Sequence, residues 1–184
     1  SLDALVKAVD VVVVVEWQGD RDEVVGLSGV EQIAVDYGNS CALLTAGTVK
    51  CWGYNGSGQL GDGTTAHRRI PAPIMDGVRS AAAGESHTLL LKRDGSLWAC
   101  GNNEYGQLGD GTTSAYRGAP QDVSGLTSGS IAVAAGSTHS CALTQSGGVK
   151  CWGQGGALGD GSFGSRLTPV DVVDLDGVVA IVAG

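Results

Sequence analysis

Basic residues are scarce in this chain. Of its 184 residues, 11 are Lys or Arg against 19 Asp or Glu, a formal net charge of −8. A surface that binds phosphate needs clustered Lys and Arg, so nucleic acid is not an expected partner. Long apolar runs are also missing. Residues 11–15 are five consecutive valines between Asp10 and Glu16, far short of the roughly 20 residues that cross a bilayer, so no membrane-spanning segment is expected. No basic start leads into a long apolar core and a cleavage site, which leaves no intact signal peptide; a removed one stays possible. Aromatic residues make up only 5%. No paired carboxylates, Ser-His-Asp set or Cys-His set stands outside the repeated framework described next, so no catalytic residue is assigned. His67 lies in a loop beside Arg68 and Arg69, with no carboxylate or cysteine at metal-ligand spacing. Neither a metal nor a cofactor is expected.

Glycine, in contrast, is abundant at 31 residues, without the every-third period of collagen. It concentrates in one recurring stretch. Cys51-Trp52-Gly53-Tyr54-Asn55-Gly56-Ser57-Gly58-Gln59-Leu60-Gly61-Asp62-Gly63-Thr64-Thr65 returns as Cys100-Gly101-Asn102-Asn103-Glu104-Tyr105-Gly106-Gln107-Leu108-Gly109-Asp110-Gly111-Thr112-Thr113. A shorter copy follows as Cys151-Trp152-Gly153-Gln154-Gly155-Gly156-Ala157-Leu158-Gly159-Asp160-Gly161-Ser162. An interval of about fifty residues signifies an array of one supersecondary unit. Gly53, Gly56 and Gly58, close together, permit positive φ and close packing, and Gly53, Gly61, Gly101, Gly109, Gly153 and Gly159 mark the repeated turns. Asp62-Gly63, Asp110-Gly111 and Asp160-Gly161 are turn dipeptides. Calcium is the other use of carboxylates in glycine-rich loops, but too few oxygen ligands sit near each Asp, and a structural turn is favoured.

The Gln-Leu-Gly-Asp-Gly core, with its preceding apolar hairpin and following Arg-then-Pro segment, resembles the repeats of the regulator of chromosome condensation family. The resemblance covers roughly residues 29–184. It implies an all-β fold, a β-propeller whose blades are four-stranded antiparallel sheets, in a family whose complete members usually have seven. About three and a half blades are present, so a partial propeller is expected. Residues 1–28 match poorly and read as a degenerate or partial blade ahead of the repeats in 29–184. The chain begins without Met and stops within a repeat, and the reading expects a piece of something larger.

Residues 2–9 read as a short helix or a frayed lead-in, and 11–15 as a buried strand, favoured by β-branching. Trp17-Gln18-Gly19-Asp20 reads as the remnant of a Trp-Gly turn whose long loop is deleted. From Gly29 the register is regular. Segments ending at Asp36, Gly84, Gly136 and Gly184 align as the inner strands of successive blades, and their alanines suit a crowded centre. His87, His139 and Asn39 share one repeat position. Recurrence there favours a structural ring bonded to backbone over a catalytic or metal-binding one.

The hairpin that follows carries cysteines. Cys41 and Cys51 stand ten residues apart, as do Cys141 and Cys151 at the same two repeat positions. In the middle repeat both are replaced, by Leu89 and Ala99. Cysteines that come and go in pairs across a hairpin are expected to be bonded in pairs; two pairs of free buried thiols are the alternative. Each bridge closes a short loop, for a chain-entropy contribution of about 2.5 to 3 kcal/mol at most. Such bonds persist in oxidising compartments, so an extracellular, cell-surface or periplasmic protein is expected. Cys100, at the position of Trp52 and Trp152, reads as a buried small residue; a reactive or intermolecular thiol is the other use.

After each Asp-Gly turn an Arg precedes a Pro: Arg68 and Pro71, Arg117 and Pro120, Arg166 and Pro169. The Arg is expected to hold the connection between blades. The intervening loops differ, and variable loops on one face of an array are where binding usually resides. Tyr54, Tyr105, Tyr116 and Phe163 are the candidate anchors, with His67 and Arg69 beside them; ordinary packing is the competing reading. The functional expectation is a non-catalytic propeller that binds a protein or glycan, or builds an assembly. Two alternatives remain: nucleotide exchange on a small GTPase, as the resemblance implies, and inhibition of an enzyme in the manner of secreted β-lactamase inhibitors with related repeats. Expected partners are proteins, either the rest of a longer propeller or other subunits.

Overall fold

The computed structural model describes residues 13–17, 20–24, 27–156 and 158–184. Among them there is no helix, and none is therefore long and apolar enough to cross a membrane. An antiparallel hairpin of β1 (Val13–Trp17) and β2 (Asp20–Val24) comes first. The reading of 2–9, and of 11 and 12, lies outside the described residues.

Three four-stranded antiparallel sheets follow, each in simple sequential order. The first blade is β3 (Val30–Asp36), β4 (Asn39–Leu44), β5 (Val49–Gly53) and β6 (Arg68–Met75). The second is β7 (Val78–Ala83), β8 (His87–Lys92), β9 (Leu97–Asn102) and β10 (Tyr116–Asp122). The third is β11 (Ser130–Ala135), β12 (His139–Thr144), β13 (Val149–Gly153) and β14 (Arg166–Asp171). This is the expected partial propeller.

The sequence dictates the order within each blade. The second strands read Asn-Ser-Cys-Ala-Leu-Leu, His-Thr-Leu-Leu-Leu-Lys and His-Ser-Cys-Ala-Leu-Thr, without polar alternation, because a central strand of a sandwiched sheet is covered on both faces. In β8 every residue but the last is buried. All four prolines of the chain, Pro71, Pro73, Pro120 and Pro169, fall in the fourth strands, where a missing N–H interrupts no further ladder. Inner strands are short-chained, so blades approach closely. The Gln32 side chain fastens β3 to β7, donating from Nε2 to the Ala81 carbonyl (2.9 Å) and accepting the Ala81 N–H at Oε1 (3.2 Å).

The core lies between blades. Leu89, Leu91, Leu97, Leu108 and Val123 of the second blade pack with Ala135, Ala142 and Trp152 of the third. Leu60 of the first packs with Val78, Ala81 and Leu90 of the second. Burying such a leucine contributes roughly 1.5–3 kcal/mol. Residues 178–184 depart from the expected strand: they lie against the third blade, with the Val178 N–H on the Gly147 carbonyl (3.0 Å), but pair with no second strand.

The cysteines meet as the hairpin register requires. Cys41 pairs with Cys51 and Cys141 with Cys151 across their ladders, and both pairs are disulfide-bonded. Leu89 faces Ala99 at the same site of the second blade.

Candidate functional site

The loops that leave the third strands all emerge at one end of the blades. Each crosses its strand at a glycine: Gly53, Gly101 and Gly153 have φ of 104°, 110° and 105°. A Cβ on Gly53 would stand 2.2 Å from the Gly38 carbonyl oxygen. The same crossing is tied by main-chain bonds from Tyr54 to Gly38 (2.7 Å), Asn102 to Ser86 (2.8 Å) and Gln154 to Thr138 (2.9 Å).

A buried asparagine organises each full-length loop. Asn55 Nδ2 donates to Asp62 Oδ1 (3.2 Å), the Thr64 carbonyl (3.0 Å) and the Ala66 carbonyl (3.1 Å), while its Oδ1 accepts the Leu60 N–H (2.9 Å). Asn103 repeats the set with Asp110, Thr112 and the Leu108 N–H. The sequence displayed both residues inside the repeated motif, yet their role was missed. A polar side chain recurring amid glycines beside a fixed leucine was the available signal. In the third blade two residues are lost and Gly155 holds the position; its N–H goes to Ser165 Oγ (3.1 Å) instead.

Asp62, Asp110 and Asp160 are hubs of the turns, each accepting from the hydroxyl and N–H two residues on. Their arginine partners correct the sequence reading. Arg68 pairs with Asp62, Arg117 with Asp110 (3.4 Å) and Arg166 with Asp160 (2.5 Å). Each Arg therefore closes its own loop and does not hold the link between blades. Burial pushes the Asp62 carboxyl up, but hydrogen bonds from Arg68 and Thr64 outweigh it and hold the group below the ordinary range. At Asp160 the Arg166 bond leads, in the same direction. No group of three or more metal-ligating side chains occurs among the described residues.

Blade-to-blade links come from the main chain of the motif. The Gln59 carbonyl accepts from Thr88 Oγ1 (2.8 Å) and Cys100 Sγ (3.7 Å) of the second blade. The Gln107 carbonyl accepts from Ser140 Oγ (2.8 Å) and Trp152 Nε1 (2.9 Å) of the third. Gly63 and Gly111 N–H groups reach the next outer strand, at Gly118 (2.8 Å) and Leu167 (3.0 Å). Cys100 is a free, buried thiol, pushed up to about 12 by burial and then by Asp62.

His87 also spans two blades, with Nε2 2.8 Å from Ser140 Oγ, so its partner is a hydroxyl and not the expected backbone. Ser140 has one hydroxyl proton, given to Gln107, so His87 Nε2–H donates. Nδ1 is buried and has no partner among the described residues. Burial, then the nearby His139, lowers its pKa to about 4.

The candidate anchors divide. Tyr54 stacks on His67, ring centroids 4.7 Å apart, and His67 Nδ1 accepts the Asn55 N–H (2.9 Å), so both help shape their loop. Arg69 lies on the surface. Tyr105, Tyr116 and Phe163 are exposed at 41%, 50% and 91%. Two more exposed residues join this end, Tyr37 in the β3–β4 turn and Ile70 on β6. Tyr37 carried no repeat signature and was missed. Elsewhere, a groove of about 400 Å³ lies between the third blade and residues 178–184, lined by Leu158, Val172, Leu175 and Ile181 beside the Cys141–Cys151 bridge.

A family model described as "Regulator of chromosome condensation (RCC1) repeat" matches residues 46–91 and 94–143. A second model of that description matches 30–59, 78–107 and 131–157. The human protein "Probable E3 ubiquitin-protein ligase HERC4" is 32% identical over 158 residues, 82% of this chain and 15% of HERC4. Prp20p from Saccharomyces cerevisiae, described with its binding to Gsp1p and histones, is 28% identical with a TM-score of 0.72, over 85% of this chain and 41% of that one. Human WBSCR16 superposes with a TM-score of 0.78 at 24% identity, over 90% of this chain and 46% of that one, a likeness of fold. The chain thus spans about 15% of the length of the curated relatives it matches.

Proposed function

The chain belongs to the regulator of chromosome condensation (RCC1) repeat family, and from that premise we propose that it is a non-catalytic binding scaffold that presents its loop end to a protein partner. One observation carries this reading. Asp and Arg close the inside of each loop, joined by Asn in the two full-length ones, while exposed Tyr105 and Tyr116 ride on the second and Phe163 on the shortened third. Rigid aromatic residues at variable positions bind at low entropic cost. The paired cysteines support work in an oxidising compartment, outside the cell or at its surface. In this reading residues 1–28 form a reduced blade and 29–184 the repeats. The groove beside 178–184 is then covered by further protein, from a longer propeller or another subunit. An enzyme as the bound partner is the inhibitor version of the same reading. Exchange on a small GTPase is the second reading, favoured by the identity to Prp20p, a protein described as binding Gsp1p.

The test combines purification from a secreting host with the triple variant Tyr105→Ala, Tyr116→Ala, Phe163→Ala. Loss of the co-purifying protein, with an unchanged denaturation midpoint, supports the reading. Retention of that protein by the variant refutes it. A compact, long-lived monomer of 18.5 kDa with 178–184 open to solvent refutes the covered groove.

A further inference from the structure

One carbonyl site recurs between blades, and the first blade has the donors for it without the carbonyl. Thr88 and Ser140 occupy one repeat position, and Cys100 and Trp152 another. All four donate to the preceding blade, at Gln59 or Gln107. In the first blade these positions hold Ser40 and Trp52, exposed at 1% and 2%. Ser40 Oγ and Trp52 Nε1 are both buried and have no hydrogen-bond partner among the described residues. Buried donors in native proteins almost always have acceptors, so the pair marks an interaction left unmade.

The reason lies in the preceding hairpin. Leu27 packs against Ala42 and Trp52 as Leu126 packs among Ala142 and Trp152, so Leu27, shortly after β2, takes the place that Leu126 takes after β10, and β2 touches β6. In the three blades the third and fourth strands are joined by 54–67, 102–116 and 154–165, between Gly53 and Arg68, Gly101 and Arg117, and Gly153 and Arg166. In β1–β2, Trp17 pairs with Asp20 and only 18–19 intervene. The loop that would carry the acceptor is missing.

We propose that this position is a docking slot for an extended loop of a partner protein. That loop sets a main-chain carbonyl against Trp52 Nε1–H and Ser40 Oγ–H, and a following leucine-sized side chain against Ala42 and Trp52. The chain's own interfaces define the chemistry of the occupant: uncharged, glycine-flanked, a carbonyl and then an apolar residue, as in Gly58-Gln59-Leu60-Gly61 and Gly106-Gln107-Leu108-Gly109. The slot lies at the loop end of the first blade, since Ser40 follows the β3–β4 turn and Trp52 precedes Gly53. Because both donors are closed from solvent, the occupant enters only when this face opens, and its association is slow.

The experiment uses the 184-residue chain with ¹⁵N-labelled tryptophan and the capped peptide Ser-Gly-Gln-Leu-Gly-Asp-Gly-Thr. The expected result is a downfield shift of the Trp52 indole N–H and at least tenfold slower solvent exchange, with Trp152 unmoved. Ser40→Ala weakens the peptide roughly tenfold, and Ser40→Thr, the residue type at Thr88, restores it. Three results overturn the proposal: no Trp52 shift at millimolar peptide, equal affinity for Ser40→Ala, or a Trp52 N–H already as protected as that of Trp152 in the free chain. A Trp52 shift that follows protein concentration without peptide makes a second copy the occupant and overturns the partner assignment.

Discussion

Replacing Asn55 with alanine removes the centre of the first loop, and the contacts set its cost. Leu60 is fully buried, and its N–H has the Asn55 Oδ1 as acceptor at 2.9 Å. In Asn55→Ala that N–H is stranded, at about 1–3 kcal/mol. The carbonyls of Thr64 and Ala66 lose the Nδ2 donor, but both residues lie at the surface. Water takes over there, so each lost bond costs about 0.5–1 kcal/mol. The sum is about 2–5 kcal/mol. With a urea slope of about 2 kcal/mol/M, the midpoint falls by about 1–2.5 M.

Asn55→Asp separates the two halves of the side chain. It keeps the acceptor for Leu60 but turns a second carboxylate oxygen toward Asp62 Oδ1 and the Thr64 and Ala66 carbonyls, where Nδ2 donates. The repulsion raises the folded-state pKa of the new carboxyl above its unfolded value. Its penalty is therefore full at neutral pH and fades as the pH falls through the folded pKa. Urea midpoints of wild type and both variants at pH 7 and pH 4.5, with hydrogen exchange at the Leu60 amide, check this. Asn55→Ala within about 0.5 kcal/mol of wild type, with the Leu60 amide still protected, refutes the hub.

Mass spectrometry of the unreduced chain should find Cys41 linked to Cys51 and Cys141 to Cys151. Reduction should speed exchange in the first and third blades by an equivalent of up to about 2.5–3 kcal/mol each, sparing the Leu89–Ala99 hairpin; free thiols at all five cysteines refute it. His87 has a folded pKa of about 4, below its ordinary 6.5. Stability is then full above pH 6.5 and lost as pH falls toward 4, by about 2 kcal/mol at pH 5. His87→Asn should flatten that pH dependence, and an unchanged slope would count against it. Cys100, buried with its pKa near 12, should resist iodoacetamide at pH 8 until denaturant is added; prompt alkylation of the folded chain contradicts this.

The strands and their order were legible because the repeat acts as its own alignment. The cysteine pair that vanishes together at Leu89 and Ala99 gave the hairpin register. The prolines fell on the fourth strands, where the ladder ends. What the repeat does not encode is direction across the gap between units. Arg68 recurs, but recurrence cannot say whether it reaches its own Asp62 or the next blade. His87 recurs too, and its partner Ser140 lies 53 residues away in a different sheet. Residues 178–184 match an inner strand in sequence, but a strand needs a neighbour, and no second strand adjoins them here. Tyr37 replaces a turn residue with no repeated counterpart, so only its exposure reveals it.

The same loop fastens blades and faces outward, and the structure divides those tasks between its two sides. The inward side is main chain and fixed polar atoms: the Gln59 and Gln107 carbonyls, the Asn55 and Asn103 amides, and the Asp–Arg closure. Changing the asparagines or the Asp–Arg pairs loosens the loop that carries the carbonyl to the next blade. The outward side, at Ile70, Tyr116 and Phe163, is exposed beyond that closure. The third blade shows how far the loop can be cut. It lacks the asparagine, yet keeps Leu158 buried and Asp160 paired with Arg166. In the β1–β2 hairpin only 18–19 stand between the strands, and Ser40 and Trp52 have no acceptor among the described residues. Loop length thus decides whether a joint between blades has its main-chain acceptor.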